Sequence, residues 1–95
     1  MYNEELKKRF IRDYTGSLNT ANVAATMFNA AEKHEFGGDA DLCTRSAEEL
    51  QPMIDDIVGL RSKSRWMTLI ILKEYVKWCI AMKVPGACDG MMHIE

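Results

Sequence analysis

The chain has 95 residues, 47% of them hydrophobic and 27% charged, which suits one folded domain and excludes both a two-domain protein and a disordered one. The formal charge of −2 hides an uneven spread: residues 32–56 carry two bases against eight acids, a net −6, whereas residues 61–83 carry six bases against one acid, a net +5. A partner approaching one face responds to that local field more than to the total. Met1 to Arg12 lacks the apolar run of a signal peptide, and the most apolar stretch, Trp66 to Leu72, is too short to span a bilayer.

The first helix is expected over about Asn3 to Tyr14, with Leu6, Phe10, Ile11 and Tyr14 as its apolar stripe. Asn3 is placed to cap it, and Glu4 and Glu5 suit the first turn. The second helix is expected from Asn19 or Thr20 to Glu35, with Val23, Met27, Phe28 and Ala31 buried and Gly37-Gly38 as its stop. Its early outer face, with Asn19, Thr20, Asn22, Thr26 and Asn29, is polar without charge.

Asp39 to Thr44 reads as a solvated loop. Ser46-Ala47-Glu48-Glu49 fits a capping box. Pro52 lies too deep for a first-turn proline, so a short turn at 46–50 should bend into a third helix from Pro52 to Val58, closed by Gly59. The fourth helix is the longest apolar element, from about Ser64 to Lys83, capped by Ser62 or Ser64 and ended by Val84-Pro85-Gly86. Met67, Leu69, Ile71, Leu72, Tyr75, Val76, Trp78, Cys79, Ile80 and Met82 cover more than half its circumference, which places it mid-bundle. Lys63, Trp66, Ile70, Lys73, Glu74, Lys77 and Ala81 form the remaining face. Residues 86–95 have no periodicity and read as a linker. The class is all-α with four helices.

Nothing here points to catalysis: His34 and His93 lie near no nucleophile-like Ser or Cys, and no glycine-rich phosphate loop occurs. His34, Asp39, Asp41 and Cys43 mix hard and soft ligands without metal-site spacing, so no metal is expected. No cofactor or small-molecule substrate is implied. Cys43, Cys79 and Cys88 are odd in number and lack C-x-x-C spacing, which argues for free thiols in a reducing cytoplasm. Two surfaces invite a partner. Arg61, Lys63 and Arg65 alternate with Ser62 and Ser64 at a helix start, where free N–H groups attract phosphate. Trp66 and Ile70 share a side with Lys73 and Lys77, which fits a helical protein-interaction module.

The chain resembles the N-terminal core-binding, SAM-like domain of tyrosine recombinases, the phage integrase group. The residues that carry the likeness are Phe10-Ile11-Arg12-Asp13-Tyr14, Ser17-Leu18-Asn19-Thr20, Asp41-Leu42 with Ser46-Ala47-Glu48-Glu49-Leu50, Arg61-Ser62-Lys63-Ser64, and Leu72-Lys73-Glu74-Tyr75-Val76-Lys77-Trp78. The resemblance implies a four-helix orthogonal bundle over residues 1–85, with 86–95 leading toward a separate C-terminal catalytic domain. It implies a clamp on the double-stranded DNA of a recombination site, the second and fourth helices facing the major groove. Carried over, the DNA contacts would be Asn19, Thr20 and Asn22 from the second helix and Lys63, Ser64, Arg65 and Thr68 from the fourth. The catalytic arginines, histidine and tyrosine of that family have no counterpart, so this domain would bind without cutting. Ala24 stands where the family usually has an aromatic residue.

Overall fold

The structure, a computed structural model, describes residues 1–14, 18–61 and 65–95. Four helices form an all-α bundle: α1 (Glu4–Tyr14), α2 (Leu18–Gly38), α3 (Ala47–Arg61) and α4 (Arg65–Ala81). Short 3-10 turns cover Leu42–Thr44 and Gly90–His93. The bundle measures 29 × 29 × 23 Å.

Helix α1 starts as expected, but not by the expected cap. Asn3 has a positive φ of 51°, and its side-chain amide donates to Asp41 Oδ2 at 3.0 Å instead of closing the first turn. Phe10 is fully buried and joins three helices: its ring lies 6.0 Å from Phe28, 5.2 Å from Tyr75 and 5.8 Å from Trp78. Such edge-on contacts each add about 0.5–1.5 kcal/mol beyond the area they bury.

Helix α2 stops at its glycine pair, but it takes both glycines in and so runs past the expected Glu35. Gly37 and Gly38 are its last residues, and Asp39 takes the left-handed conformation (φ 50°). Ala40 N–H reaches Glu35 O and Asp39 N–H reaches Phe36 O, the paired closing bonds of a Schellman ending. Arg45 serves the carbonyls that remain: its guanidinium donates to His34 O at 2.9 Å and Ala40 O at 3.1 Å. A side chain at Gly38 would stand 2.6 Å from Arg45 Nη2, so this glycine makes room for that cap.

The capping box forms. Ser46 N–H bonds Glu49 Oε1, and Glu49 N–H bonds Ser46 Oγ, each at 3.3 Å. The helix it opens is continuous, however, with Pro52 inside it and Gly59 short of its end. Pro52 sits in the second turn and frees one carbonyl, that of Glu48, an exposed residue whose carbonyl water can satisfy. A single helix therefore replaces the expected bend.

In α4 the residues Thr68, Leu69, Ile71, Leu72, Tyr75, Val76 and Cys79 are buried. Met67, Ile80 and Met82, expected in the core, are exposed. Lys83 (φ 58°) ends the helix in the same way as Asp39, with Val84 N–H on Cys79 O and Lys83 N–H on Ile80 O. The expected caps at Ser62 and Ser64 lie outside the described residues.

Residues 86–95 are not a free linker. Met91 is 1% and Ile94 4% exposed, both within the core cluster. Cys88 N–H bonds Cys43 O at 2.9 Å. Gly90 lies so close to the Arg45 backbone that a Cβ there would stand 2.1 Å from Arg45 O. Apolar side chains two or three apart in a 3-10 turn carry no signal of helical or strand period, which is why this packing was invisible in the pattern.

Candidate nucleic-acid interface

The expected DNA-contacting residues divide three ways. Asn22 is exposed on the outer face of α2, in line with Asn29 and Lys33. Its carbonyl accepts from Thr26 Oγ1 at 2.9 Å, so Thr26 spends its hydroxyl on the helix. Thr20 is half-buried, on the core side of the helix start. Thr68 is fully buried and offers no surface to a ligand, which removes it from the candidates. It lies four, seven and eleven residues before Leu72, Tyr75 and Cys79, on their inward stripe. The Asn19 side chain, Lys63 and Ser64 lie outside the described residues.

Arg65 is half-exposed at the first position of α4. Its Nη2 and Nε donate to the main-chain oxygen of Glu95 at 2.6 and 3.2 Å, and Nη1 stands 3.8 Å from Asp55 Oδ1. Beyond it the outward side of α4 shows Trp66 at 71% and Ile70 at 36% exposure, with Lys73 and Lys77 on the same line.

The acidic segment is less repulsive than its count suggests. Glu35 and Asp41 are buried and share the Lys7 ammonium, at 2.6 and 3.0 Å. Lys7 also donates to Tyr2 O at 2.7 Å. Leu42 N–H donates to Glu35, while Cys43 N–H and Tyr75 Oη donate to Asp41. Burial pushes Asp41 up, but the Lys7 charge, the Cys43 N–H and the Asn3 amide outweigh it and hold its carboxyl below the usual range. For Glu35 burial wins over the attraction of Lys7, and its carboxyl is raised. Elsewhere Glu32 meets the terminal ammonium at 2.7 Å, and Asp56 takes both Lys33 and His34. Hydrogen bonds from His34 and Lys33 lower the Asp56 carboxyl.

The residues weighed as metal ligands from the sequence are placed otherwise. Asp41 is not a solvated loop acid, and His34 is turned to Asp56 rather than to Asp41 or Cys43. Among the described residues no group of three potential ligands converges. The three thiols are free, Cys43 and Cys79 buried and Cys88 exposed. No described helix is long and apolar enough to cross a membrane.

Among the described residues the candidate surface consists of Asn22 and Asn29 on the outer face of α2 and Arg65 at the start of α4, with the Lys7–Glu35–Asp41 cluster buried in the bundle. Among curated proteins and among solved structures nothing matches the chain. A family model does match, over residues 1–81, which takes in all four helices; its description is the N-terminal core-binding domain of MrpR. The chain belongs to that family and is a core-binding domain of the tyrosine-recombinase type.

Proposed function

We propose that the chain binds double-stranded DNA as the core-binding domain of a phage-type integrase or related site-specific recombinase, in the cytoplasm. It would clamp one side of the duplex and bring no catalytic group of its own. A separate C-terminal domain of the same polypeptide would supply strand exchange. The family match over residues 1–81 carries this reading.

The local chemistry supports the same assignment. Arg61, Lys63 and Arg65 alternate with Ser62 and Ser64 just where α4 begins. Cations and hydroxyls at a helix start suit phosphate, and phosphate contacts position a protein on DNA. Asn22 on α2, with Asn19 before it, can bond base edges, as asparagine does with adenine. Lys7 and the terminal ammonium, which lie outside residues 32–56, pair with Glu32, Glu35 and Asp41 and so offset part of that segment's net −6.

The test is a titration with duplex DNA at two salt concentrations, followed by amide shift mapping. Four neutralised phosphates give a log–log salt slope near about −4. Lys63→Glu with Arg65→Glu should abolish binding at moderate salt. Shifts confined to α3 would overturn the reading.

A further inference from the structure

We propose that the outward face of α4 docks on a second copy of this chain, against the outward face of that copy's α3. Trp66, Ile70, Lys73, Lys77 and Ile80 follow a 4-3-4-3 spacing, which keeps them on one line along a helix. Trp66 is 71%, Ile70 36% and Ile80 43% exposed, and Lys77 is exposed between them. The line is therefore apolar at both ends and positive in the middle. A lone exposed tryptophan is ordinary, but three large apolar groups on one line form a surface that water covers at a cost.

The charge decides what covers it. Two α4 faces laid antiparallel would set lysines against lysines, so like-with-like pairing is opposed. The outward face of α3 is the complement. Glu48, Pro52, Asp55 and Gly59 are all exposed and follow a 4-3-4 spacing. Pro52 and Gly59 make a low floor, and nothing lies within 4 Å of the position a Gly59 Cβ would take. Glu48 and Asp55 are carboxylates on that line; Asp55 accepts from the Gln51 amide at 3.0 Å and lies 3.8 Å from Arg65, both on the surface. A ridge led by a tryptophan meets a floor without bulky side chains, and two lysines meet two carboxylates. Lys77 leaves only an exposed contact with Glu74, 3.3 Å long, to do so. Because the two faces differ, the contact is head-to-tail and joins copies into a row or a ring.

Sedimentation of the full chain without DNA tests this separately from DNA binding. Across about 20 µM to about 1 mM, the range expected of a small interface, the average mass should rise and the rise should shrink with salt. Trp66→Ala should weaken association about tenfold, as should Lys73→Glu with Lys77→Glu. A variant with Glu48→Lys and Asp55→Lys should be equally impaired alone. Mixing the two charge-reversed variants should restore association between them, while circular dichroism shows each folded. A monomer at every concentration would overturn the proposal. So would a mixture that stays monomeric, or lysine variants that lose only DNA affinity.

Discussion

The Lys7 ammonium lies 2.6 Å from Glu35 Oε2, with neither side chain exposed to solvent. Asp41 Oδ2 is 3.0 Å from the same nitrogen, so one buried cation answers two buried carboxylates. This site ties α1 to the end of α2 and to the 3-10 turn that follows. Tyr75 bonds both Asp41 oxygens, at 3.1 and 3.0 Å, and ties in α4. Removing the cation alone would strand both anions in a dry site. Lys7→Met should cost about 3–5 kcal/mol in denaturant unfolding. Adding Glu35→Gln and Asp41→Asn should recover part of that loss; no recovery would mean that Lys7 acts mainly through packing.

The two carboxyls give the domain opposite pH responses. Glu35 is raised by burial, so the folded state holds its proton more tightly than the unfolded state does. Its contribution favours folding near and below the unfolded value of about 4.3 and is lost as pH rises through the raised folded value. Asp41 is lowered, chiefly by Lys7 against the push of burial, so its contribution is present above about 3.9 and is lost on further acidification. Stability should therefore rise on going from neutral pH toward about 4.5, then fall below about 3.9. In Glu35→Gln the first rise should shrink, read as unfolding midpoints at matched ionic strength. An unchanged rise would assign it to other groups.

Lys83 closes α4 in the left-handed conformation, φ 58°, where a side chain is crowded by the backbone. Glycine has no such penalty but loses more freedom on folding. The first effect should prevail, because the Schellman bonds from Val84 and Lys83 already fix the turn. Lys83→Gly should raise stability by about 0.5–1 kcal/mol in thermal unfolding. A decrease would show that the aliphatic stem of Lys83 packs usefully.

Much of this architecture was legible in the chain. The Ser46–Glu49 capping box, the aromatic stripe of α1 and the inward face of α4 follow from spacing alone. Thr68 was legible too: its distances to Leu72, Tyr75 and Cys79 are those of an inward stripe, and only the carry-over from the family resemblance placed it among the DNA contacts. Lys7 was not legible, because its partners stand 28 and 34 positions away and helical periodicity treats a lysine as surface. The Gly37-Gly38 stop holds, since α2 ends at Gly38, but the part that Arg45 plays there, donating from beyond the turn to His34 O and Ala40 O, depends on tertiary contacts that spacing does not show. For the candidate DNA surface, charge and spacing marked the run from Arg61 to Arg65, while its pairing with Asp55 and the Glu95 carbonyl depends on tertiary contacts.

The packed tail makes a sharp claim at Gly90. A methyl group there would stand 2.1 Å from Arg45 O and 3.0 Å from Ser46 Cα, both backbone atoms that no rotamer change can move. The tail must lift or the capping-box turn must shift. Gly90→Ala should destabilise the domain by about 1–3 kcal/mol, the usual range for overpacking. Amide exchange should quicken at Met91 and Ile94 beyond the global change. If residues 86–95 swung free of the bundle, this substitution would be silent.

On the proposed reading, in which Arg65 contacts DNA, Asp55 should bear on binding through Arg65. Its carboxylate lies 3.8 Å from Arg65 Nη1, on the surface, where it would both compete with a DNA phosphate for the guanidinium and repel that phosphate. Arg65 would keep its two bonds to Glu95 O after Asp55→Asn, so the helix start should hold its shape. Removing one exposed anion at this range is worth about a two- to fivefold gain in DNA affinity at low salt. The gain should fade as the Debye length shortens, because it is electrostatic and exposed. Arg65→Ala should cancel the benefit of Asp55→Asn, since the carboxylate would then have no guanidinium to withhold. Equal gains with and without Arg65 would instead make Asp55 a general repeller of the duplex, with Arg65 outside the contact.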